Sequence, residues 1–387
     1  MRRLVFWASA ATVAWTFAGF PLVAWLRARF APRPYRTDPI TPSVSIIVAA
    51  HNEAPVIKEK LRNLTSLDYP ADCVEILVAS DGSDDGTNET VRDFGDPRVR
   101  LLALERGGKA TAVNTAAASA GGEILVFSDA NSMFAPGALR ALVAPFSDPT
   151  IGGVAGDQRY LRPGAGTAEA EGRYWGFDRR LKAWESAAGN VISSTGAIHA
   201  VRRDLFRPVP AGLTDDFYIS TGVIAAAQRL VFAADAAAYE PAAESVEAEF
   251  ARKLRVATRI LRTEFVLREL MNPLRHGFYA IQFASHKPMR QLLGIPMLLV
   301  FASSAALWRS GPFYRLALVA QSTFYGLGML GLLRRGAPWA RSRIVALPAY
   351  FCLAYAAQLL ALWNVISGRR IDAWRQQRPS PPSEPRP

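Results

Sequence analysis

Four short polar clusters hold most of the side chains in this chain that could do chemistry: His51-Asn52-Glu53, Asp81-Gly82-Ser83-Asp84-Asp85, Asp129-Ala130-Asn131 and Thr214-Asp215-Asp216. Carboxylates suit two tasks around a nucleotide: accepting hydrogen bonds from base or ribose, and holding a divalent cation against a diphosphate. Between the second and third clusters, Arg106-Gly107-Gly108-Lys109 precedes a helical stretch, and flexible glycines, a helix amino terminus and a lysine together suit an anionic ligand. The G-x-x-x-x-G-K-[ST] spacing is absent, so a P-loop NTPase is not supported. Each cluster alone is also what a turn or a helix start requires, and the paired Asp215 and Asp216 read equally as capping residues. Their placement decides between these readings.

Apolar runs of strand length cover residues 44–50, 74–80, 99–104 and 124–128, and they alternate with helical spacing at 54–67, 85–94 and 109–120. This alternation predicts an α/β fold with a parallel sheet covered on both faces. Ligands of such sheets bind at the carboxyl ends of the strands. Three of the four clusters fall at those ends.

With the strands placed, the string Val44-Ser45-Ile46-Ile47-Val48-Ala49-Ala50-His51-Asn52-Glu53, followed by Asp81-Gly82-Ser83-Asp84-Asp85-Gly86-Thr87, resembles the donor-binding half of glycosyltransferase family 2. The resemblance implies a GT-A fold, a Rossmann-like and mostly parallel sheet, and a nucleotide diphosphate-sugar donor, commonly a UDP-sugar. It implies donor contacts from Ala50, Asn52, Glu53, Asp81, Ser83, Lys109 and Asp129, with Glu53 and Asp81 on base and ribose and Lys109 in a Gly-Lys-Ala element. Asp129 begins a DxD-like element whose third position is Asn131. The family's element binds Mg²⁺ or Mn²⁺ and the diphosphate. An amide oxygen ligates a hard cation without adding charge, so the metal would depend more on Asp129 and the diphosphate.

The second half resembles the acceptor side of membrane synthases of the cellulose, hyaluronan and poly-N-acetylglucosamine group. Gln158-Arg159-Tyr160 is similar to their Gln-Arg-Phe/Tyr element, and Ser194-Thr195-Gly196-Ala197 stands at their acceptor-site turn, which implies acceptor contacts from Gln158, Arg159, Thr195 and Gly196. Thr214-Asp215-Asp216 looks like their Thr-Glu-Asp motif, whose last residue is the catalytic base. By that resemblance Asp216, with Asp215 beside it, serves an inverting hexosyl transfer. Arg252 and Arg255 lie where these synthases carry a Gln-x-x-Arg-Trp motif and can clamp a diphosphate from one helix face. Val256 takes the place of the Trp that forms a stacking floor for acceptor sugar. That leaves repeated addition and single addition, for example to a polyprenyl-phosphate sugar or a glycolipid, both open.

Half of the 387 residues are hydrophobic, and they pool at the two ends. Residues 4–26 carry no charge and are long enough for a hydrocarbon core about 30 Å thick. The run ends in Trp25, Arg27 and Arg29 rather than at a small-residue cleavage site, so an anchor is expected over a signal peptide. Runs at 291–308, 316–333 and 344–366 read as three further spans, flanked by Trp and Arg. The resulting layout is a helix with a basic flank at 1–30, a catalytic domain at 43–270 (donor half 43–135, acceptor and base half 136–270), an interfacial helix at 271–290, a membrane region at 291–366 and a basic Pro-rich tail at 367–387.

The formal charge of +12 gathers beside the apolar runs, which marks a membrane surface rather than a nucleic acid. Basic residues between Arg27 and Arg36 favour a cytoplasmic middle and a multi-pass protein of a bacterial-type inner membrane. Three later spans would then leave the basic tail outside, against the same rule, unless one run is re-entrant. Cys73 and Cys352 form no metal or disulfide framework, and His276 and His286 read as interface or structural residues. Expected partners are a nucleotide-sugar, a glycan or lipid-linked acceptor, the bilayer and polysaccharide-export proteins. A transporter with a nucleotide-sensing domain fits poorly, because its spans would lack ionisable residues. A non-catalytic sugar-nucleotide-binding subunit is the other alternative.

Overall fold

The computed structural model describes residues 1–161, 167–241, 246–335 and 337–369. Eight strands form one sheet: β1 (Val44–Ala50), β2 (Val74–Asp81), β3 (Val99–Leu104), β4 (Ile124–Asp129), β5 (Met133–Phe134), β6 (Ile151–Leu161), β7 (His199–Arg202) and β8 (Arg229–Pro241). Their order is β3-β2-β1-β4-β7-β6-β8-β5. The first four are mutually parallel, whereas β7 is antiparallel to both β4 and β6. The strands expected at 74–80 and 124–128 each run one residue further, so Asp81 and Asp129 close their strands instead of opening the loops.

The chain begins with α1 (Arg2–Ala14) and α2 (Phe20–Phe30), joined through a π-helical turn at Trp15–Gly19. Within the α/β unit follow α3 (Ala54–Thr65), α4 (Thr87–Arg92), α5 (Lys109–Ser119), α6 (Ala138–Val143), α7 (Thr167–Ala187), α8 (Asp215–Ala225) and α9 (Val246–Val266). All seven residues of β1 are buried because helices cover both faces of the sheet. Ile46, Val48 and Ala50 pack with Ile57, Leu61 and Leu64 of α3 and Leu139 and Leu142 of α6. Ile47 and Ala49, pointing the other way, pack with Ala112, Val113 and Ala116 of α5 and Val223 of α8. β1 and β4 are neighbours while their connections leave in opposite directions along the sheet, which opens the ligand crevice between their ends.

After α9 come α10 (Pro273–His276), α11 (Phe278–His286), α12 (Pro288–Gln291), α13 (Gly294–Ala306), α14 (Pro312–Leu333) and α15 (Arg343–Ile366). Three helical segments, Arg2–Phe30, Pro312–Leu333 and Arg343–Ile366, are long and apolar enough to cross a membrane. The run expected as a span from 291 holds α13, which is long and apolar enough to cross only together with the helices from Phe278, against which it is bent by 63°. Nor is 271–290 one interfacial helix. Gly277, at φ +55°, and Lys287 break it into short pieces, and Tyr279 and Phe283 of α11 are buried against Ile192 and Phe217 of the α/β unit. His286 is structural, bonded through Nδ1 to Glu185 at 2.7 Å. Of the expected tail, residues 370–387 lie outside the described residues.

Candidate active site

The end of β1 and the loop after β2 are stitched together by side chains. Asn52, at φ +55°, donates through Nδ2 to Asp84 Oδ1 (2.8 Å) and accepts from the Asp84 amide (3.0 Å). Ser83 Oγ accepts from the Asn52 amide at 3.1 Å and from Ser80 Oγ at 2.8 Å. Glu53 is buried at the start of α3, and Ala50 sits in the core at the end of β1. Asp81 is spent on the chain itself. Its side chain is 1% exposed, and Oδ1 accepts from the amides of Gly107 (2.6 Å) and Gly108 (2.8 Å) while Arg106 pairs with Oδ2 at 3.1 Å. Gly108 supplies this geometry at φ +89°, which a side chain would strain. Asp81 therefore shapes the glycine loop rather than lying open to a base or ribose.

That loop delivers Lys109 to the centre of the site. Its Nζ lies 2.7 Å from Asp129 Oδ1, at the end of β4, and 3.0 Å from Asp215 Oδ2, at the start of α8. Burial would lower the lysine's pKa, but the two carboxylates outweigh it and hold the ammonium charged. Asp129 is backed by Gly196, where an added Cβ would stand 2.7 Å from Asp129 Oδ2. Gly196 is thus a close-packed support for Asp129. Thr195 is set by His199, whose Nδ1 lies 3.0 Å from the Thr195 carbonyl; a carbonyl only accepts, so that nitrogen carries the proton. His199 stacks on Phe127, and burial pushes its pKa down to about 4 despite Asp215, leaving the ring neutral.

The two aspartates of α8 are driven apart electrostatically. Burial would raise Asp215, yet Lys109 and Arg259 more than offset this and keep it below the usual carboxylate range. Asp216 is pushed up to about 6, by burial first and by the charge of Asp215 second. Its Oδ1 accepts from the Phe217 amide at 2.8 Å, and its carbonyl accepts from Ser194 Oγ at 3.1 Å. The pair thus holds one carboxylate that stays charged and one that changes protonation near neutral pH.

The remaining expected contacts lie on β6 and α9. Gln158 donates to Glu240 at 2.6 Å and Arg159 pairs with Asp157 at 2.7 Å, so both are engaged within the β6 and β8 pair. On α9, Arg252 makes two 2.8 Å bonds to Glu249, and Arg255 follows one turn on, its pKa lowered by burial and by the neighbouring Arg259 and Arg252. Val256 is an exposed aliphatic residue. Sequence reasoning missed Arg259, which donates to the Leu213 carbonyl at 2.7 Å beneath the paired aspartates, and missed His199. Arg259 was legible as the next basic residue at helical spacing after Arg252 and Arg255.

Asp129 and Asn131 fit a hard divalent cation shared with a diphosphate. Both offer oxygen, Asp129 keeps a third of its side chain exposed, and Asn131 has no side-chain hydrogen bond among the described residues. The described residues contain no group of three or more His, Cys, Asp or Glu that would hold a metal unaided, so a cation here would need further ligands such as diphosphate and water.

Residues 45–209 match the model of Glycosyl transferase family 2. This region is a family 2 glycosyltransferase domain. The chain resembles the mannosyltransferase PcManGT from Pyrobaculum calidifontis, solved with GDP-Man and Mn²⁺, with a TM-score of 0.71, 25% identity, and coverage of 96% of this chain and 100% of that one. It therefore has the GT-A fold, apolar terminal helices included. Among curated proteins it is 33% identical to Glycosyltransferase AglE of Haloferax volcanii over 171 residues, 43% of this chain and 55% of that one. It is 27% identical to a poly-beta-1,6-N-acetyl-D-glucosamine synthase of Staphylococcus epidermidis over 177 residues, 44% of this chain and 42% of that one. The chain thus spans about half the length of these two curated relatives.

Proposed function

We propose that this chain is a membrane-embedded, inverting hexosyltransferase that moves a sugar from a nucleoside diphosphate donor, UDP- or GDP-linked, to a glycan or lipid-linked acceptor of a cell-surface polysaccharide. The observation that carries it is Lys109 bridging Asp129 and Asp215 beside the raised Asp216, because this puts donor-phosphate and proton-transfer groups in one crevice. Asp216 removes the proton of the acceptor hydroxyl, whose oxygen attacks the anomeric carbon from the face opposite the leaving group. The bond from that carbon to the diphosphate breaks, and the nucleoside diphosphate departs with the electron pair. Lys109, Arg255 and Arg259 supply positive charge to the phosphates, and Asp215 keeps Lys109 in place. A bound Mg²⁺ or Mn²⁺ on Asp129 and Asn131 would neutralise charge on the leaving diphosphate.

PcManGT, a neighbour along the whole chain, was solved with a nucleotide sugar and Mn²⁺, which supports both donor class and metal. The apolar helices and the basic flank at Arg27 and Arg29 support an inner-membrane protein with a cytoplasmic catalytic domain. Single addition is favoured over repeated addition because Val256 offers no aromatic floor for a growing chain. Purified protein in nanodiscs, incubated with labelled UDP- and GDP-sugars, Mn²⁺ and membrane lipid extract, should release nucleoside diphosphate and label one acceptor species. Release persisting in Asp216→Asn at the parent rate overturns the assignment, and a product ladder overturns single addition.

A further inference from the structure

Beneath the loop that carries Asp129 and Asn131 lies a buried lysine. Lys60 of α3 has no exposed surface, and it occupies the apolar face of that helix between Ile57 and Leu64, where a leucine would complete the pattern. Its Nζ donates to Ser128 Oγ at 2.7 Å and to the Ser132 carbonyl, the residues immediately before and after Asp129-Ala130-Asn131. It also lies 4.3 Å from the centre of the Phe134 ring. From the next turn of α3, Asn63 holds both backbone groups of Phe134, at 2.7 Å and 2.9 Å. On the far side, Ser132 Oγ donates to buried Glu240, whose other oxygen accepts from Gln158 Nε2 at 2.6 Å.

Burying a lysine and a glutamate costs free energy that an apolar pair would avoid, so the chain gains little stability from this arrangement. What it gains is a fixed loop, with backbone and side-chain groups on both sides of three residues tied to two buried polar side chains. We propose that Lys60 and Glu240 are positioning residues for the donor cation, setting the 128–132 backbone so that the Asp129 carboxylate and the Asn131 amide meet the metal–diphosphate together. This rests on the reading of Asp129 and Asn131 as the cation loop. It also moves Gln158 from the acceptor to the support of that loop.

The test is Mn²⁺ binding by electron paramagnetic resonance with UDP or GDP present, alongside donor KM, kcat and Tm, in Lys60→Met and in Leu61→Ala, a buried control on the same helix. Lys60→Met should weaken Mn²⁺ binding about tenfold or more, as loss of an outer-shell support does. Donor KM should rise, while kcat at saturating metal stays within about threefold, the spread expected of a group that does not touch the reacting atoms. Leu61→Ala should lower Tm and leave Mn²⁺ binding unchanged. Should Lys60→Met fail to fold, Ser132→Ala, which deletes the Glu240 bond, is expected to weaken Mn²⁺ binding in the same direction. Parent-like Mn²⁺ binding in the Lys60 or Ser132 variant overturns the proposal, as does equal weakening in Leu61→Ala. Absence of Mn²⁺ binding in the parent protein with either nucleotide overturns the cation-loop reading itself, and the proposal with it.

Discussion

Lys109, the first residue of α5, reaches Asp215, the first residue of α8, at 3.0 Å and so ties the donor half of the domain to the acceptor half through one ion pair. The same ammonium holds Asp129, so a single side chain sets the spacing between the end of β4 and the amino terminus of α8. Lys109→Met leaves two carboxylates facing each other without a cation. The expected loss of stability lies at the low end of the ~3–5 kcal/mol seen when a buried pair is broken, because Asp129 keeps a third of its side chain in solvent. Thermal unfolding would show it, and donor binding measured by calorimetry should be lost together with it.

Asp216→Asn should lower kcat by roughly 10²–10⁴-fold, the usual contribution of a positioned base, with donor affinity close to the parent's. Single-turnover kinetics with saturating donor would separate the two quantities. An equal loss in donor binding would place Asp216 among the donor contacts instead.

The raised pKa of Asp216 fixes two pH dependences. Transfer needs the ionised base, so kcat/KM should rise with pH through about 6 and level off above it, provided the donor itself does not titrate there. Stability runs the other way: a carboxyl with a raised folded pKa favours the fold while protonated, and that advantage is lost as pH rises from its ordinary value of 3.8 through about 6. Asp216→Asn should therefore melt higher than the parent at pH 8, and the gap should close by about pH 4.

Gly196→Ala places a methyl 2.7 Å from Asp129 Oδ2, closer than a carbon and an oxygen tolerate. Asp129 must move, and Mn²⁺ binding in the presence of nucleoside diphosphate should weaken by about tenfold, a typical effect of disturbing a ligand's support. Gly176→Ala, where nothing lies within 4 Å of the added carbon, serves as the control and should bind as the parent does.

The ends of the long apolar helices allow a test of sidedness. Phe6 clusters with Leu307 and Tyr314, whereas Arg369, just beyond α15, bonds with its carbonyl to Arg262 of α9. With Cys73 and Cys352 replaced by alanine, Ser310→Cys should react with an impermeant maleimide from outside intact cells. Arg369→Cys should react only after lysis, which would put Arg369 on the catalytic side as the positive-inside rule prefers; two full crossings between Ser310 and Arg369 would return the chain to one side, so this outcome means that α15, packed along α9, does not cross.

Much of the donor half was legible in the chain. Buried parallel strands read as continuous apolar runs, and the ligand edge follows from topology, so 44–50 and 99–104 were placed to the residue and Asp129 was found at the end of its strand. The paired aspartates at 215 and 216 and the glycines before Lys109 were legible for the same local reason: short motifs carry their chemistry in adjacent residues. Helix 271–290 was not, because apolar residues there satisfy a protein core as well as a bilayer, and only the packing of Phe283 on Phe217 chose between them.

What the tertiary structure alone decided is the partner of each charge. Asp81 was predicted from its motif, yet its turn toward Gly107 and Gly108 depends on a loop that folds back over the sheet edge. Gly196 contacts Asp129 only because β7 and β4 lie side by side with opposite directions. Lys60 broke the apolar face of its own helix in plain view in the sequence. Its reason for being there, the Ser128 and Ser132 groups across the sheet edge, is a long-range contact that no local pattern encodes. Sequence spacing fixes which side chains share a face or an edge, whereas burial and through-space fields, which set the pKa of Asp216 and the bridge at Lys109, exist only once distant segments meet.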